Sequence, residues 1–244
     1  MKLNFAIFWI ATILLSCTKV EPIIKTQPLK YFNLTYDESI PDYKYLALGD
    51  SYTIGQSVCQ TCSFPMQMKD SLEIKFNNQI RIETQIIAQT GWTTSNLINY
   101  VNAQQPSNDF DLVTLLIGVN NQYQNLNFSV FEEEFPQLVA LAIEKAGNDK
   151  NKVLVVSIPD YMYTPFGDGT VNFEAISAEI ENYNNFIENY CTKNEIEFEY
   201  ITDITQQGLS NPDLVASDGL HPSSVAYALF VERMLPNVVS ILGL

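Results

Sequence analysis

Residues 112–121 have the sequence Leu-Val-Thr-Leu-Leu-Ile-Gly-Val-Asn-Asn, in which an almost unbroken apolar run ends at a glycine and two asparagines. A short continuous apolar run bounded by loop residues is typical of a strand that is buried on both faces. Such strands occur in parallel sheets, because the connections between parallel strands place helices over both faces. The stretch therefore predicts a buried parallel strand at 112–117 and an α/β fold.

The segments on either side of this strand alternate in the same way. We expect further strands at 43–48, 80–88, 153–158 and 197–201. Helical patterns predict helices at 64–76, 94–104, 128–146, 174–192 and 224–242. Five strands with intervening helices predict a doubly wound, flavodoxin-like parallel sheet with helices on both faces.

The composition supports a folded domain with an acidic surface. The chain has 244 residues, 46% of them apolar, which suffices for the core of one large α/β domain and excludes a disordered chain. Its formal net charge is 13 − 28 = −15. A field of this sign repels phosphate backbones, so we expect no nucleic-acid partner.

The N-terminus has the pattern of an export signal. Lys2 precedes an apolar run at 5–15, which is too short to span a bilayer and is typical of a signal peptide. The run ends in Leu-Leu-Ser before Cys17, and this ending resembles a bacterial lipobox. We expect lipidation at Cys17; ordinary secretion, with Cys17 removed or left as a free thiol, is the alternative.

This pattern divides the chain into three parts. Residues 1–16 are a predicted lipoprotein signal peptide, 17–42 are expected to be the lipidated cysteine and a proline-containing tether, and 43–244 are expected to be one folded domain. Acyl chains on Cys17 would anchor the domain to a membrane of the bacterial cell envelope, on its periplasmic or cell-surface face.

Four short polar motifs follow the predicted strands or precede the last helix. In a parallel sheet of this kind, functional groups collect beyond the carboxyl ends of the strands. Together the motifs supply a hydroxyl nucleophile, an imidazole base, a carboxylate and possible oxyanion donors. The motifs are Gly49-Asp50-Ser51, Thr90-Gly91-Trp92, Gly118-Val119-Asn120-Asn121 and Asp218-Gly219-Leu220-His221.

With these motifs, the chain from residue 43 onward resembles the SGNH hydrolase superfamily, also called GDSL esterases and lipases. The resemblance implies the SGNH hydrolase fold and a serine esterase without metal or organic cofactor. It implies that Ser51 is the nucleophile, His221 the base and Asp218 the orienting carboxylate. The oxyanion would bind the Ser51 and Gly91 backbone N–H groups and the Asn120 amide.

The sequence differs from the family pattern at two of these motifs. Tyr52 stands in place of the leucine of Gly-Asp-Ser-Leu, and Asn121 stands where family members often have aspartate. The substrate remains open between carbohydrate acetyl esters, short-chain carboxylic esters, lysophospholipids and thioesters. A catalytically silent binding or docking lipoprotein is the alternative to an enzyme.

The cysteines permit three readings. Cys59 and Cys62 can form a local disulfide, remain free thiols or act as a redox pair. In an exported protein a disulfide that stiffens the rim of the site is the simplest. Cys191 is expected to be buried on a helix. Cys59, Cys62 and His221 lack a fourth ligand for zinc, so we expect no metal site.

Overall fold

A computed structural model of the protein describes residues 39–244. The predictions for the signal peptide, Cys17 and most of the tether lie outside these residues. The described part contains a five-stranded sheet in which all neighbours are parallel, in the order β2-β1-β3-β4-β5. The strands are β1 (Asp42–Gly49), β2 (Arg81–Ala88), β3 (Leu112–Leu116), β4 (Val153–Val156) and β5 (Glu197–Glu199).

Five long helices connect or follow the strands, and three short ones lie in the loops. The long helices are α2 (Phe64–Lys75), α3 (Thr94–Gln104), α5 (Phe128–Lys145), α6 (Phe173–Asn194) and α8 (Ser224–Leu242). The short ones are α1 (Ser51–Ile54), α4 (Val119–Tyr123) and α7 (Thr202–Thr205).

The strand order gives the sheet its two covered faces. Because crossovers between parallel strands are right-handed, the connection from β1 to β2 and those toward β5 lie on opposite faces. The helix contacts agree, since α2 packs against α8 whereas α3 packs against α5. The predicted α/β fold with a five-stranded parallel sheet is confirmed. Its strand order is the flavodoxin-like order.

The core is continuous between the sheet and its helices. Every residue of β3 and β4 is buried, which explains why Thr114 is the single polar residue in these two strands. The last helix, α8, is apolar and long enough to cross a membrane, but in the structure Tyr227, Phe230 and Met234 pack into the core. Pro236 lies within α8, which continues to Leu242.

The structure differs from the predicted elements by at most two residues at their ends. The long helices begin and end within two residues of the predicted bounds, and 94–104 and 224–242 coincide with α3 and α8. The strands predicted at 153–158 and 197–201 are each two residues shorter. Just beyond these strand ends the Ser157 and Thr202 side chains hydrogen-bond to each other at 2.8 Å, and α7 begins at Thr202.

Candidate active site

The four polar motifs lie at the carboxyl edge of the sheet, as expected. Gly49 ends β1, and residues 90–92 and 117–121 directly follow β2 and β3. The loop with Asp218 and His221 lies between α7 and α8. It reaches the same edge, because the rings of Tyr52 and His221 lie 5.1 Å apart, centroid to centroid.

Ser51 is held at the first position of α1 by a turn that requires glycine. A β-carbon at Gly49 would lie 2.1 Å from Thr53 Oγ1 and 2.4 Å from the Leu116 carbonyl oxygen. Glycine therefore lets α1 begin directly beside the end of β3. Ser51 is buried, and its backbone N–H belongs to the first helical turn, where such groups have no helical partner.

The loop that carries Asp218 and His221 is fixed by backbone hydrogen bonds. Ala216 N donates to the His221 carbonyl at 2.7 Å, and Gly219 N donates to the Ala216 carbonyl at 3.0 Å. Gly219 has φ +73°, which glycine adopts without the steric cost of a β-carbon. The turn brings His221 Nδ1 within 2.7 Å of Asp218 Oδ2.

Four donors surround the Asp218 carboxylate. Oδ1 accepts the backbone N–H groups of Leu220 and His221, both at 3.0 Å. Oδ2 accepts the Ser57 hydroxyl at 2.6 Å, in addition to its contact with the imidazole. Partial burial raises the pKa of Asp218, but the hydrogen bonds from Ser57, His221 and the backbone outweigh it and hold this pKa below its usual value.

The structure brings Asp218 and His221 together, and it places Tyr52, the residue after Ser51, against His221. Within residues 39–244 no hydrogen bond joins Ser51 Oγ to the imidazole. The Tyr52 ring, which packs against His221, and the Ser57 hydroxyl, which donates to Asp218, join the segment of Ser51 to this loop. Hydrogen bonds between a nucleophile and its base are often long without substrate and shorten in the complex.

Gly91 and Asn120 lie on the neighbouring loops. Gly91 is exposed with φ +83°, and its carbonyl accepts Gln124 Nε2 at 2.9 Å. Asn120 is half-buried in α4, and its Nδ2 donates to Asp50 Oδ2 at 3.3 Å. The Asn120 amide has two N–H groups, so one can orient the side chain while the other binds a ligand.

Asp50 is the second carboxylate of the region and is completely buried. It caps α1 by accepting the Tyr52 N–H at 3.0 Å. Burial raises the pKa of Asp50 to about 7, although its hydrogen bonds from Tyr52 and Asn120 act in the opposite direction. The same carboxylate contributes to the raised pKa values of the buried Tyr52 and Tyr227, after desolvation, which is the larger cause.

Asn121 holds two loops together. Its Oδ1 accepts Thr94 N at 3.0 Å, and its Nδ2 donates to Thr94 Oγ1 at 2.6 Å. The Thr94 hydroxyl in turn donates to Glu134. The amide therefore fastens the loop after β3 to the start of α3, at the position where the family often has aspartate.

Cys59 and Cys62 form a disulfide in the structure, with Cα atoms 5.0 Å apart. Cys191 is a buried free thiol on α6, as expected. In the part of the chain from 39 to 244, no cluster of three or more His, Cys, Asp or Glu side chains is arranged to hold a metal ion.

An aromatic group lies next to the loop of Asp218 and His221. Tyr123, Tyr161 and Phe166 contact one another with ring centroids 5.8–6.1 Å apart, and Tyr123 and Phe166 are about half exposed. Phe166 N donates to the Gly219 carbonyl at 2.9 Å, which joins this group to the loop. Tyr161 also lines a small pocket together with His221.

Sequence reasoning missed Ser57 and the contact between Asp50 and Asn120. Ser57 belongs to no motif, and Asp218 lies 161 residues away in the sequence. Asp50 is part of the Gly49-Asp50-Ser51 motif, but its burial depends on packing around β1 that the local sequence does not show. A non-glycine residue in a left-handed turn, as at Ser57, leaves no recognisable sequence pattern.

The family described as GDSL-like Lipase/Acylhydrolase matches residues 47–229, which is more than half of the chain. This chain belongs to that family. The predicted membership of the GDSL esterases and lipases is confirmed, and the protein is an ester hydrolase. No curated protein matches the sequence.

Solved structures with the same fold come from several bacteria. A lipolytic G-D-S-L protein from Veillonella parvula is 16% identical, covers 80% of this chain and 97% of its own, and has a TM-score of 0.61. The esterase EstA from Pseudoalteromonas is 15% identical, covers 83% of this chain and 100% of its own, and has a TM-score of 0.60. A variant of an acetyl-xylooligosaccharide esterase from Geobacillus is 17% identical, covers 82% of this chain and 96% of its own, and has a TM-score of 0.59.

Proposed function

We propose that this protein hydrolyses carboxylic esters through Ser51, His221 and Asp218. The observation that carries the proposal is the 2.7 Å contact between Asp218 Oδ2 and His221 Nδ1. The imidazole of this pair packs on Tyr52, the residue after Ser51. A base fixed by a carboxylate beside a serine at the start of a helix is the arrangement that acyl transfer requires.

The proposed reaction has two halves. Ser51 Oγ attacks the ester carbonyl carbon while His221 Nε2 takes the hydroxyl proton, and Asp218 stabilises the resulting imidazolium. The intermediate expels the alcohol, which leaves with the proton from His221, and an acyl-serine remains. Water then attacks this acyl group with His221 again as base, which releases the acid and restores Ser51.

The proposed oxyanion site uses three donors that are free to point at the carbonyl oxygen. They are the Ser51 N–H at the start of α1, the Gly91 N–H on its exposed turn and the second N–H of the Asn120 amide. Asp50 supports the last of these through its contact with Asn120 Nδ2. Removal of one such donor typically lowers kcat by about 10²–10³.

The test is hydrolysis of p-nitrophenyl acetate by wild type and by single variants. Ser51→Ala and His221→Ala should lower kcat by roughly 10³–10⁶ without loss of the folded state. Ser240→Ala, at an exposed position on α8, is the matched control and should hydrolyse normally. A folded Ser51→Ala protein with near-normal activity would overturn the assignment, and an inactive wild type would favour the silent binding protein.

The substrate class is proposed from the aromatic group of Tyr123, Tyr161 and Phe166. Its exposed rings lie beside the loop of His221 and offer an apolar wall for an acyl chain or a stacking surface for a sugar. The test is to measure kcat/KM for acetylated sugars and for p-nitrophenyl esters of increasing chain length. A preference for the sugars would indicate a stacking surface, and a preference for longer esters would indicate an apolar wall for the acyl chain. Phe166→Ala should raise KM for the preferred ester, and an unchanged KM for every ester would exclude this surface as a substrate contact.

We further propose that Cys17 is lipidated and that the domain is tethered to a membrane of the cell envelope. The support is the Leu-Leu-Ser-Cys ending of the apolar N-terminal run, followed by a tether with Pro22, Pro28 and Pro41. Mass spectrometry of the membrane-extracted protein should find an acylated N-terminal Cys17. An unmodified N-terminus at another residue would refute the anchor and leave the esterase proposal untouched.

A further inference from the structure

Ser57 is the one donor to the Asp218 carboxylate that comes from outside its loop, among the residues that the structure describes. The two backbone N–H groups on Oδ1 belong to Leu220 and His221 and move with the loop. The Ser57 hydroxyl, by contrast, comes from the segment that follows α1 and lies 2.6 Å from Oδ2. It therefore joins the turn of Ser51 to the loop of His221.

The backbone at Ser57 suggests that the hydroxyl itself is needed there. Ser57 has φ +67°, a left-handed conformation that a β-carbon disfavours and glycine adopts freely. Gly55, two residues earlier, has φ +80°. A serine at a position that would suit glycine is explained when its side chain makes a contact that glycine cannot make.

The segment that carries Ser57 is held at three points. Gln56 Oε1 accepts the Thr90 hydroxyl at 2.6 Å, which links the segment to the turn of Gly91. Val58 N donates to the Gly55 carbonyl at 3.3 Å. Beyond it the disulfide between Cys59 and Cys62 closes the following turn. The disulfide limits the motion of a short exposed segment whose hydroxyl must reach Asp218.

We propose that Ser57 is a positioning residue of the hydrolytic site, which fixes the Asp218 carboxylate against His221 and is itself held by the Cys59–Cys62 disulfide. The inference rests on the proposed roles of Asp218 and His221. Two donors on one oxygen fix the plane of the carboxylate, and this plane sets the direction of the imidazole. Ser57 contacts neither the proposed nucleophile nor the oxyanion donors, so its loss should lower kcat rather than raise KM.

Ser57 also withdraws charge from the carboxylate that faces the imidazole. Without its hydrogen bond the carboxylate would stabilise the imidazolium more strongly, so the acidic limb of kcat/KM should move to higher pH. The other groups that act electrostatically on Asp218 or on the rings near it are Asp50, Tyr52, Tyr161 and Tyr227. The Ser57 variants described below leave these four residues unchanged.

The test compares Ser57→Ala with Ser57→Gly. Both remove the hydroxyl, but glycine also relieves the left-handed backbone and should leave the melting temperature equal or higher. We expect both variants to lose about tenfold in kcat with KM within twofold, and the acidic limb to rise by roughly half a pH unit. Asn148→Gly, which relaxes another exposed left-handed residue far from this loop, is the control and should keep full activity.

A Ser57→Gly protein with wild-type kcat and pH profile would overturn the inference. If Ser51→Ala is inactive at the same time, the proposed function stands and only the role of Ser57 fails. The double variant Cys59→Ser/Cys62→Ser should lose about threefold in kcat, and its combination with Ser57→Ala should lose no more than the tenfold of Ser57→Ala alone. Additive losses would show that the disulfide does not act through Ser57.

Discussion

Asp50 and Asp218 are two carboxylates at the same edge of the sheet whose pKa values are shifted in opposite directions. Asp50 is completely buried with two hydrogen-bond donors, and its pKa rises to about 7. Asp218 keeps about 30% of its side chain exposed and has four donors, and its pKa lies below the usual value. The number of donors around each carboxylate, set against its burial, decides which one is reliably charged.

The difference assigns separate tasks to the two groups. A carboxylate that must stabilise an imidazolium has to remain ionised, and the lowered pKa of Asp218 meets this condition at neutral pH. Asp50 instead holds the start of α1 and the Asn120 amide. Because its pKa is raised to about 7, its charge changes near neutral pH, and the support that it gives to Asn120, a proposed oxyanion donor, should depend on pH.

Of the substitutions at Asp218, Asp50 and Asn121, Asp218→Asn should have the largest effect, at the lower end of the range expected for Ser51→Ala and His221→Ala. The new amide can donate to His221 Nδ1 and hold the imidazole proton on Nε2, where it blocks proton transfer from Ser51. We expect kcat to fall by about 10³ with little change in KM. Steady-state kinetics on p-nitrophenyl acetate measure this, with the exposed Asp213→Asn as control. A loss below tenfold would mean that the charge of Asp218 is unimportant.

A smaller loss should come from Asp50→Asn, because this variant removes the acceptor that orients Asn120. We expect kcat to fall roughly tenfold. Stability should respond more clearly than activity. Burial raises the pKa of Asp50 to about 7 from 3.8, so the folded state binds its proton more tightly than the unfolded state does. Ionisation of Asp50 therefore costs stability as the pH rises from about 4 to above 7.

This linkage gives the measurement for Asp50→Asn. Between pH 5 and pH 8 the free energy of unfolding of the wild type should fall by roughly 2 kcal/mol relative to that of the variant. Urea denaturation of both proteins at the two pH values tests this. Parallel pH dependences would show that Asp50 is not destabilised by its burial.

Much of the fold follows from the sequence, because its signals are local. The runs at 112–117 and 153–158, apolar except for Thr114 and Ser157, indicate strands covered on both faces, and the amphipathic 224–242 is α8 as the structure has it. The helices α1, α4 and α7 are four or five residues long and have too few positions for a helical period. Capping and loop contacts determine them instead.

Only part of the site can be predicted from the sequence, because only some of its signals are local. The motifs indicate Ser51, Asp218 and His221 because each stands at the end of a strand or before a helix. The contacts that tune them join distant parts of the chain, such as Ser57 with Asp218 and Asp50 with Asn120. They depend on the packing of loops, which a single sequence does not display.

The smallest effect on turnover should come from Asn121→Asp, which introduces a carboxylate at another buried position. The Thr94 N–H can still donate to it, but the Thr94 hydroxyl proton already points to Glu134. With one donor the carboxylate should behave like Asp50 and lower the stability at pH 8 relative to pH 5 by roughly 2 kcal/mol. We expect kcat to change less than about threefold. Equal destabilisation at both pH values would contradict the donor argument.

Covalent labelling with a fluorophosphonate tests the central claim most directly, because the serine oxygen of an activated nucleophile displaces fluoride and stays bonded to phosphorus. Mass spectrometry of the digested protein should find one phosphonyl group, on Ser51. The label should be absent in Ser51→Ala and form far more slowly in His221→Ala, whereas Ser240→Ala should label like the wild type. A label on another residue, or ester hydrolysis by a protein that takes up no label, would contradict the account.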